Sequence, residues 1–597
     1  MRKLYSTLIL SLVTVAMMAQ GWPKDYKGVM LQGFYWNSFA DTQWTRLEKQ
    51  ADDLSKVFDL VWIPQSGRGT YNPSMGYDPL YWFTNYNSSF GTEEELRSLI
   101  NTFKEKGIGT IADVVINHRG TLTTWNDFPS ETYKGVTYNL TYEDICSDDE
   151  AAKNGYKVGK NKDTGEGWDG LRDLDHKSEN VQTAVKAYLN FLLNDLGYTG
   201  FRYDMVKGYS AEYTKMYNED SKPQFSVGEC WDSSNTIKNW IDGAGKTSAA
   251  FDFQFRYTVR NAINKGDWTY LGKQNEGNWP LVSKSFQDGS YCQYAVTFVE
   301  NHDTEKRANA AQDPIKKDTL AANAYLLAMP GTPCVFLTHW KAYKQEIANM
   351  ITVRKAVGIT NTSATQNLAS SKDYYAVQTT GTNGKLLAVV GTKADSYEPK
   401  GTEWKKAVSG YHYVYYVSDI DPATIKYPEI NTQEEADGKY AGVPAFCTME
   451  DGERCAFFEA PASWGSQIFV WAWMNGGDGK DYLGTTWPGV NATKLGTADN
   501  GNSVWKWNVS GTVNPDFIIF SGGGIQTENL KFTNGGYYFG GEGLKATVTP
   551  TAIRSIDISE KDTEHDVYDL QGRKVGTTKS PLKSGIYIIN GKKFVIK

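Results

Sequence analysis

From Gly28 onward the chain alternates short apolar runs with longer stretches whose apolar residues recur every three or four positions. Eight runs read as strands: GVMLQGFYW from Gly28, DLVWIP from Asp59, GTIADVVINH from Gly109, YTGFRYD from Tyr198, QFSVGE from Gln224, AAFDFQF from Ala249, YAVTFVENHD from Tyr294 and TPCVFLTH from Thr332. Strands that are apolar at consecutive positions are covered on both faces, as in a parallel sheet flanked by helices. The intervening segments carry helix signals. Thr92 and Glu95 make a capping box, Leu96, Leu99, Ile100 and Phe103 form one stripe, and Gly107 ends it. After Glu179, the residues Val181, Ala184, Val185, Tyr188, Leu189, Leu192 and Leu196 repeat at helical spacing up to Gly197. Eight such units predict an α/β fold, a closed (β/α)8 TIM barrel over residues 20–357. The competing open doubly wound sheet would need a glycine-rich phosphate turn that the chain lacks.

The alternation lapses once, between His118 and Asp173, in a stretch rich in Asp, Asn, Gly and Thr. A loop of that length in a compact barrel is usually functional, so a small inserted domain is expected at about 119–172. Past Gly358 Tyr/Val/Thr-rich strands take over, as in DYYAVQTT and KLLAVVGT, predicting a β-sandwich at 358–419. A polar stretch at 420–461 reads as a linker, 462–546 as a Trp-rich β module, and 552–597 as a last short β segment.

Composition narrows the function classes. A net charge of -7 without long runs of one sign gives no footprint for nucleic acid or an anionic membrane. Aromatic residues reach 14%, with 19 Trp and 37 Tyr, which suits sugar rings but also fills cores. The start, MRKLYSTLILSLVTVAMMAQ, reads as a secretory signal peptide (1–19) cut after Ala19, so the protein is expected to be secreted or at the cell surface. No later run is long and apolar enough to span a bilayer. The six cysteines are too scattered for a disulfide framework, and only a Cys447–Cys455 bridge stays open.

The chemistry sits where the strands run out. The third strand delivers Asp113, Asn117 and His118, the fourth Arg202, Asp204 and Lys207, the fifth Glu229, and the seventh Glu300, Asn301, His302 and Asp303. Singly, each suits a satisfied polar residue at a loop mouth. In a barrel these ends share one rim, so the groups converge. Two carboxyls facing one substrate from opposite sides is the arrangement glycoside hydrolysis needs.

On DVVINH, GFRYDMVKGY, FSVGECWD and FVENHD, in order on the predicted strands, the chain resembles the α-amylase family of glycoside hydrolases over roughly Gly28 to Asp419. The resemblance implies Asp204 as nucleophile, Glu229 as general acid/base and Asp303 as transition-state stabiliser. It also implies that Tyr77 of MGYDP, His118, Arg202 and His302 bind the sugar, with Lys207 and Trp231 as further substrate contacts. Charge argues the same roles: Arg202 is expected to hold Asp204 ionised, while an apolar wall such as Cys230 and Trp231, with nearby carboxylates, keeps Glu229 protonated. A separation of about 5 to 5.5 Å between the two would retain the anomeric configuration.

The family also implies Ca2+, with Asn117, Asp173 and the Gly208 carbonyl as ligands; the plant-like run ICSDDE, KDTGEG, LRDLDH adds Asp163. Gly208 replaces the His that many members carry after the lysine. IFVWAWMNGG, TTWPGV, VWKWNV and GIQTENL resemble a family 26-type starch-binding module, implying Trp473 and Trp487 as sugar platforms and leaving Trp471 open between platform and core. YDLQGRKV and SGIYIINGKKFVIK resemble the C-terminal sorting tails of exported proteins, implying secretion machinery as a partner. The expectation is therefore a monomeric, secreted endo-acting α-amylase whose partner is an α-glucan polysaccharide such as starch or glycogen. A related transglycosylase or a non-catalytic starch-binding protein is the alternative.

Overall fold

The computed structural model describes residues 21–307, 312–431 and 442–550, apart from 462–463, 466, 499, 524, 528 and 541–542. Beyond 550 it describes only Arg554–Ser555, Asp566–Tyr568, Lys574–Thr577, Gly585–Ile589 and Lys592–Ile596. The leader at 1–19 lies outside the described residues. The chain divides into two units, Met1–Gln433 and Glu434–Lys597.

In the first unit the eight expected runs close into a barrel. Its strands are β1 (Met30–Gln32), β2 (Leu60–Ile63), β3 (Gly109–Val114), β4 (Gly200–Tyr203), β5 (Phe225–Gly228), β6 (Ala249–Phe251), β7 (Ala295–Thr297) and β8 (Thr332–Phe336). Each is parallel to its neighbours, and β8 returns to β1. Every strand residue except Gly109 is buried, which explains why none alternates apolar with polar. The helix Glu93–Glu105 begins with the expected reciprocal cap between Thr92 and Glu95, and buries Leu96, Leu99, Ile100 and Phe103. The helix Glu179–Phe191, capped by Ser178, runs on through a wider turn to Gly197 at φ 91, a left-handed position that suits glycine.

Every strand is shorter than its run, and in one of them the rest of the run turns into helix. β6 stops at Phe251 because Asp252 accepts the Phe255 N–H and caps a helix, Phe253–Lys265. The alternating FDFQF pattern thus belongs half to a strand and half to a helix.

The insert leaves the barrel through a two-residue neck, His118–Arg119 paired antiparallel with Arg172–Asp173, so that His118 faces Asp173. Buried Glu131 fastens it: its carboxylate accepts the N–H groups of Trp82, Phe83 and Thr84 and pairs with Arg119 at 2.6 Å. Arg119 in turn lies 4.3 Å over the Trp82 ring.

Following the barrel, the strands Ala364–Ser370, Tyr375–Thr380, Lys385–Val390, Tyr413–Ser418 and Lys405–Gly410 form, in that spatial order, one antiparallel sheet rather than the two layers of a sandwich. One face (Val377, Leu386, Ala388, Tyr415) joins the barrel's own core, and the other (Ala376, Leu387, Val389, Val414) covers a small separate cluster. Tyr413, Tyr415 and Val417 pack on helices instead of on a second sheet, with the Tyr415 hydroxyl bonded to the Ala324 carbonyl.

In the second unit, two five-stranded sheets enclose a core of Phe458, Ile468, Val470, Ile518, Phe520 and Tyr538. Its central strand, Cys455–Ala460, is fully buried and lies within the stretch 420–461 that reads as a linker. Cys447 and Cys455 are both buried free thiols, so the bridge left open by the sequence is not formed. The described strands beyond 550 make a further five-stranded sheet.

Candidate active site

Strand register brings the carboxylates together. Asp113 pairs with Arg202 across β3 and β4, and Tyr203 pairs with Gly228 across β4 and β5. Asp204 and Glu229, each one residue further on, therefore leave the rim side by side. Their backbone N–H groups still bond to Val114 and Tyr203 carbonyls at 3.0 Å, which holds both to the barrel wall.

The buried Arg202 guanidinium is the centre. It reaches Asp113 at 2.9 Å, Asp204 at 2.6 Å and Glu229 at 3.0 Å. Because one guanidinium touches both, the near oxygens of Asp204 and Glu229 lie within about 8 Å of each other. The Glu229 carboxylate also accepts the Met205 N–H at 2.9 Å, and Met205 adopts a left-handed φ of 45 to offer it.

A second arm converges from β1 and β7. Gln32 Nε2 donates to His302 Nδ1 at 2.9 Å, which leaves the proton on Nε2, facing Tyr77 Oη at 2.7 Å and Asp303 Oδ2 at 3.2 Å. Tyr77 then donates to Asp113 Oδ2 at 2.9 Å. His118 Nε2 donates to the Tyr77 carbonyl at 2.9 Å. Burial pushes both imidazoles down to about 4, so both are neutral donors.

Burial also governs the acids. Asp204 was expected to be held low by Arg202, and the guanidinium does pull it down, but burial outweighs that pull and the carboxyl stands at about 6. Glu229 rises to about 8, from burial first and then from the charges of Asp204 and Asp303, against Arg202. The direction for Glu229 is the expected one, and Cys230 beside it is buried. Trp231 instead turns outward, 38% exposed, stacked on Phe253. Lys207 bridges Glu166 of the insert and Asp232 after β5, both at 3.0 Å.

Asp113, Gln32 and Trp36 complete the site without a role in the sequence reading. Asp113 was visible as a strand-end acid, whereas Trp36, whose ring lies parallel to Tyr77 and His302 at 6.0 Å, carries no local signal. Glu300 and His339 stand apart from Arg202 and pair with each other at 3.0 Å. The Asn301 side chain accepts the Asp303 and Thr304 N–H groups and so fixes the turn that presents Asp303.

Three of the four expected cation ligands, Asn117, Asp173 and Gly208, come together at the neck of the insert. Asn117 Nδ2 contacts Asp173 Oδ1 at 3.3 Å. A Cβ on Gly208 would sit 1.9 Å from Asn117 Oδ1, so only glycine lets the backbone come this close. Asp163 Oδ2 is buried without a hydrogen-bond partner, and Asp173 is pushed up to about 8 by burial and by the charges of Asp163 and Asp149. Among the described residues no three His, Cys, Asp or Glu side chains gather as ligands. A cation here would therefore draw on amide and carbonyl oxygens as well, a donor set that fits a hard ion such as Ca2+.

In the second unit, Trp471 and Trp473 share the open face of the strand Phe469–Trp473, while Val470 and Ala472 point into the core. With Trp487, 48% exposed, they line a groove of about 400 Å³. Trp471, undecided from sequence, lies on the groove side, edge-on to Trp487 at 5.8 Å.

A family model described as "Alpha amylase, catalytic domain" matches residues 70–349. Probable alpha-amylase 2 of Arabidopsis thaliana is 30% identical over 417 residues, spanning 65% of this chain and 94% of that protein. The same plant's chloroplastic alpha-amylase 3 is 30% identical over 410 residues, 64% of this chain and 43% of that protein. A glucan 1,4-alpha-maltotetraohydrolase of Stutzerimonas stutzeri is 27% identical over 409 residues, 62% and 69% of the two chains.

Proposed function

Since the chain belongs to the α-amylase family of glycoside hydrolases, we propose that it cuts internal α-1,4-glucosidic bonds of starch or glycogen with retention of anomeric configuration. The observation that carries this reading is the single guanidinium that gathers Asp113, Asp204 and Glu229 beside the Tyr77–His302–Asp303 arm. Near neutral pH, Asp204 at about 6 is a carboxylate and Glu229 at about 8 holds its proton. Asp204 attacks the anomeric carbon as Glu229 protonates the departing oxygen. Glu229, now a carboxylate, then takes a proton from the water that opens the glycosyl ester. Asp303 faces the positive charge that builds on the sugar, and Tyr77, His118 and His302 set neutral polar groups around it.

Asn117, Asp163, Asp173 and the Gly208 carbonyl would hold Ca2+, which when bound offsets the buried like charges at the neck of the insert. The leader supports secretion and the last β segment recognition by an export machinery. Trp473 and Trp487, with Trp471, supply flat faces for starch in an accessory module. We expect the protein to act as a monomer.

The test is NMR of the first product formed from amylose. The α-anomer with new reducing ends supports retaining hydrolysis; new linkages without reducing ends point to a transglycosylase, and no turnover to a binding protein. Asp204→Asn and Glu229→Gln each lower kcat by at least about 10³-fold while starch binding persists.

A further inference from the structure

We infer that a polar stripe on the helix after β6 braces the loop that carries Asp303, so that Arg256, Arg260, Asn264 and Gln312 act as positioning residues for the proposed transition-state stabiliser. This rests on the hydrolase reading above. Asp303 stands on the long connection between β7 and the helix Thr319–Ala328. A loop is a poor platform for a charge that must be placed to a fraction of an ångström, unless other elements hold it. Asn301 accepts the Asp303 N–H at 3.1 Å, and His302 faces the carboxylate at 3.2 Å. Both partners lie within two residues, so they fix the local turn. The tie from further away comes through the carbonyl. The Gln312 amide donates to the Asp303 carbonyl and accepts from the Arg307 guanidinium, which closes the returning limb of the loop on the outgoing one.

That returning limb is clamped from two sides. Arg256, Arg260 and Asn264 recur every four residues along the helix Phe253–Lys265 and so share one face. Arg256 and Arg260 both reach Asp313 Oδ2 at 3.1 Å, and Arg256 also donates to the Asp313 carbonyl. One turn on, Asn264 donates to the Pro314 carbonyl at 2.9 Å and accepts the Lys316 N–H at 3.0 Å. From the end of β7, Glu300 accepts the Ile315 N–H at 2.8 Å while its other oxygen is held by His339. Each residue from Asp313 to Lys316 is thus bonded to the barrel. The register is fixed by charge as well, because Arg256 is fully buried and a slip of the limb would strand its guanidinium without Asp313. The consequence falls on the chemical step. A carboxylate that answers charge only as it builds acts on the transition state more than on bound substrate, so a displaced Asp303 lowers kcat and leaves KM.

The test measures full-length wild type, Gln312→Ala and Asn264→Ala on maltoheptaose and on α-maltotriosyl fluoride, and repeats the fluoride assays with Asp303→Ala added to each. On both substrates the two single variants should lower kcat about five- to fiftyfold, with KM within twofold of wild type. With Asp303→Ala present there is no carboxylate left to place, and the same substitutions should change turnover of the fluoride less than twofold. Gln312 is only half-buried, so its truncation keeps the test open if Asn264→Ala is unstable. A kcat within twofold of wild type for Gln312→Ala, or a loss of equal size with and without the Asp303 carboxylate, overturns the inference and makes the stripe a clamp for the fold alone. If wild type turns over neither substrate, the hydrolase reading falls and this inference with it; if wild type turns over both and the variants behave in either of those ways, only the brace is wrong.

Discussion

Arg202 does two opposing things to the acids around it. Its charge lowers all three, yet their burial raises them further, and Glu229, at about 8, ends above Asp204, at about 6. Activity requires Asp204 without its proton, so it rises as pH climbs through about 6, and requires Glu229 with its proton, so it falls as pH passes about 8. A profile of kcat/KM against pH should therefore be a bell with those limbs, belonging to the cluster as a whole, and the residual activity of Glu229→Gln should lack the alkaline limb. A second prediction concerns Gly208. Because a Cβ there collides with Asn117 Oδ1, Gly208→Ala displaces a proposed ligand. The variant should lose Ca2+ to a chelator at least about tenfold more readily, and its melting temperature should fall further below wild type with Ca2+ present than with chelator added. Motif residues such as Asp204 and Glu229 were legible because each ends an apolar run. The balance between burial and Arg202 was not, since desolvation depends on neighbours brought in by strands and loops distant in sequence.

At the level of elements, the insert depends on one side chain that carries no functional signal. Glu131 takes up the otherwise unpaired N–H groups of Trp82, Phe83 and Thr84 and neutralises the buried Arg119. Glu131→Ala leaves an uncompensated buried guanidinium, which should cost about 3–5 kcal/mol. Glu131→Gln, which keeps an acceptor for the amides, should cost less. Hydrogen exchange checks both: in Glu131→Ala the amides of residues 82–84 and 131–138 should exchange faster while those of β3 and β4 stay protected. Elements were legible where partners are near in sequence or where both faces are apolar, which is why all eight barrel runs were readable. They were not where a distant partner decides. Cys455–Ala460 sits between polar stretches and is a strand because Ser503–Asn508 and Gly536–Phe539 flank it. The Tyr/Val/Thr-rich strands after residue 358 read as a sandwich packed on the barrel, and the fold has one sheet there because the barrel's core covers the face that a second sheet would cover. Phe251, Phe253 and Phe255 alternate like a strand, but Asp252 as a cap turns the last two into a helix.

For the whole molecule, the proposed chemistry and the proposed polymer capture belong to different units of the chain, and that separation makes a prediction about insoluble substrate. A starch granule presents few free chain ends, so an enzyme with only a cleft encounters cuttable segments rarely, whereas a module that stacks on exposed glucan raises their effective concentration. Trp473 and Trp487 present the faces for this, and the core beneath them, Val470 and Ala472 with Ile518 and Phe520, does not involve the indoles themselves. Replacing both with alanine should therefore leave the second unit folded, as read from an unchanged thermal transition. Losing two stacking platforms at about 1 kcal/mol each should weaken adsorption to granules about tenfold or more. Turnover of soluble maltoheptaose, which needs only the first unit, should stay within twofold of wild type. Equal losses on granules and on soluble substrate would assign these tryptophans to the fold of the module, and unchanged adsorption would place starch binding on another surface.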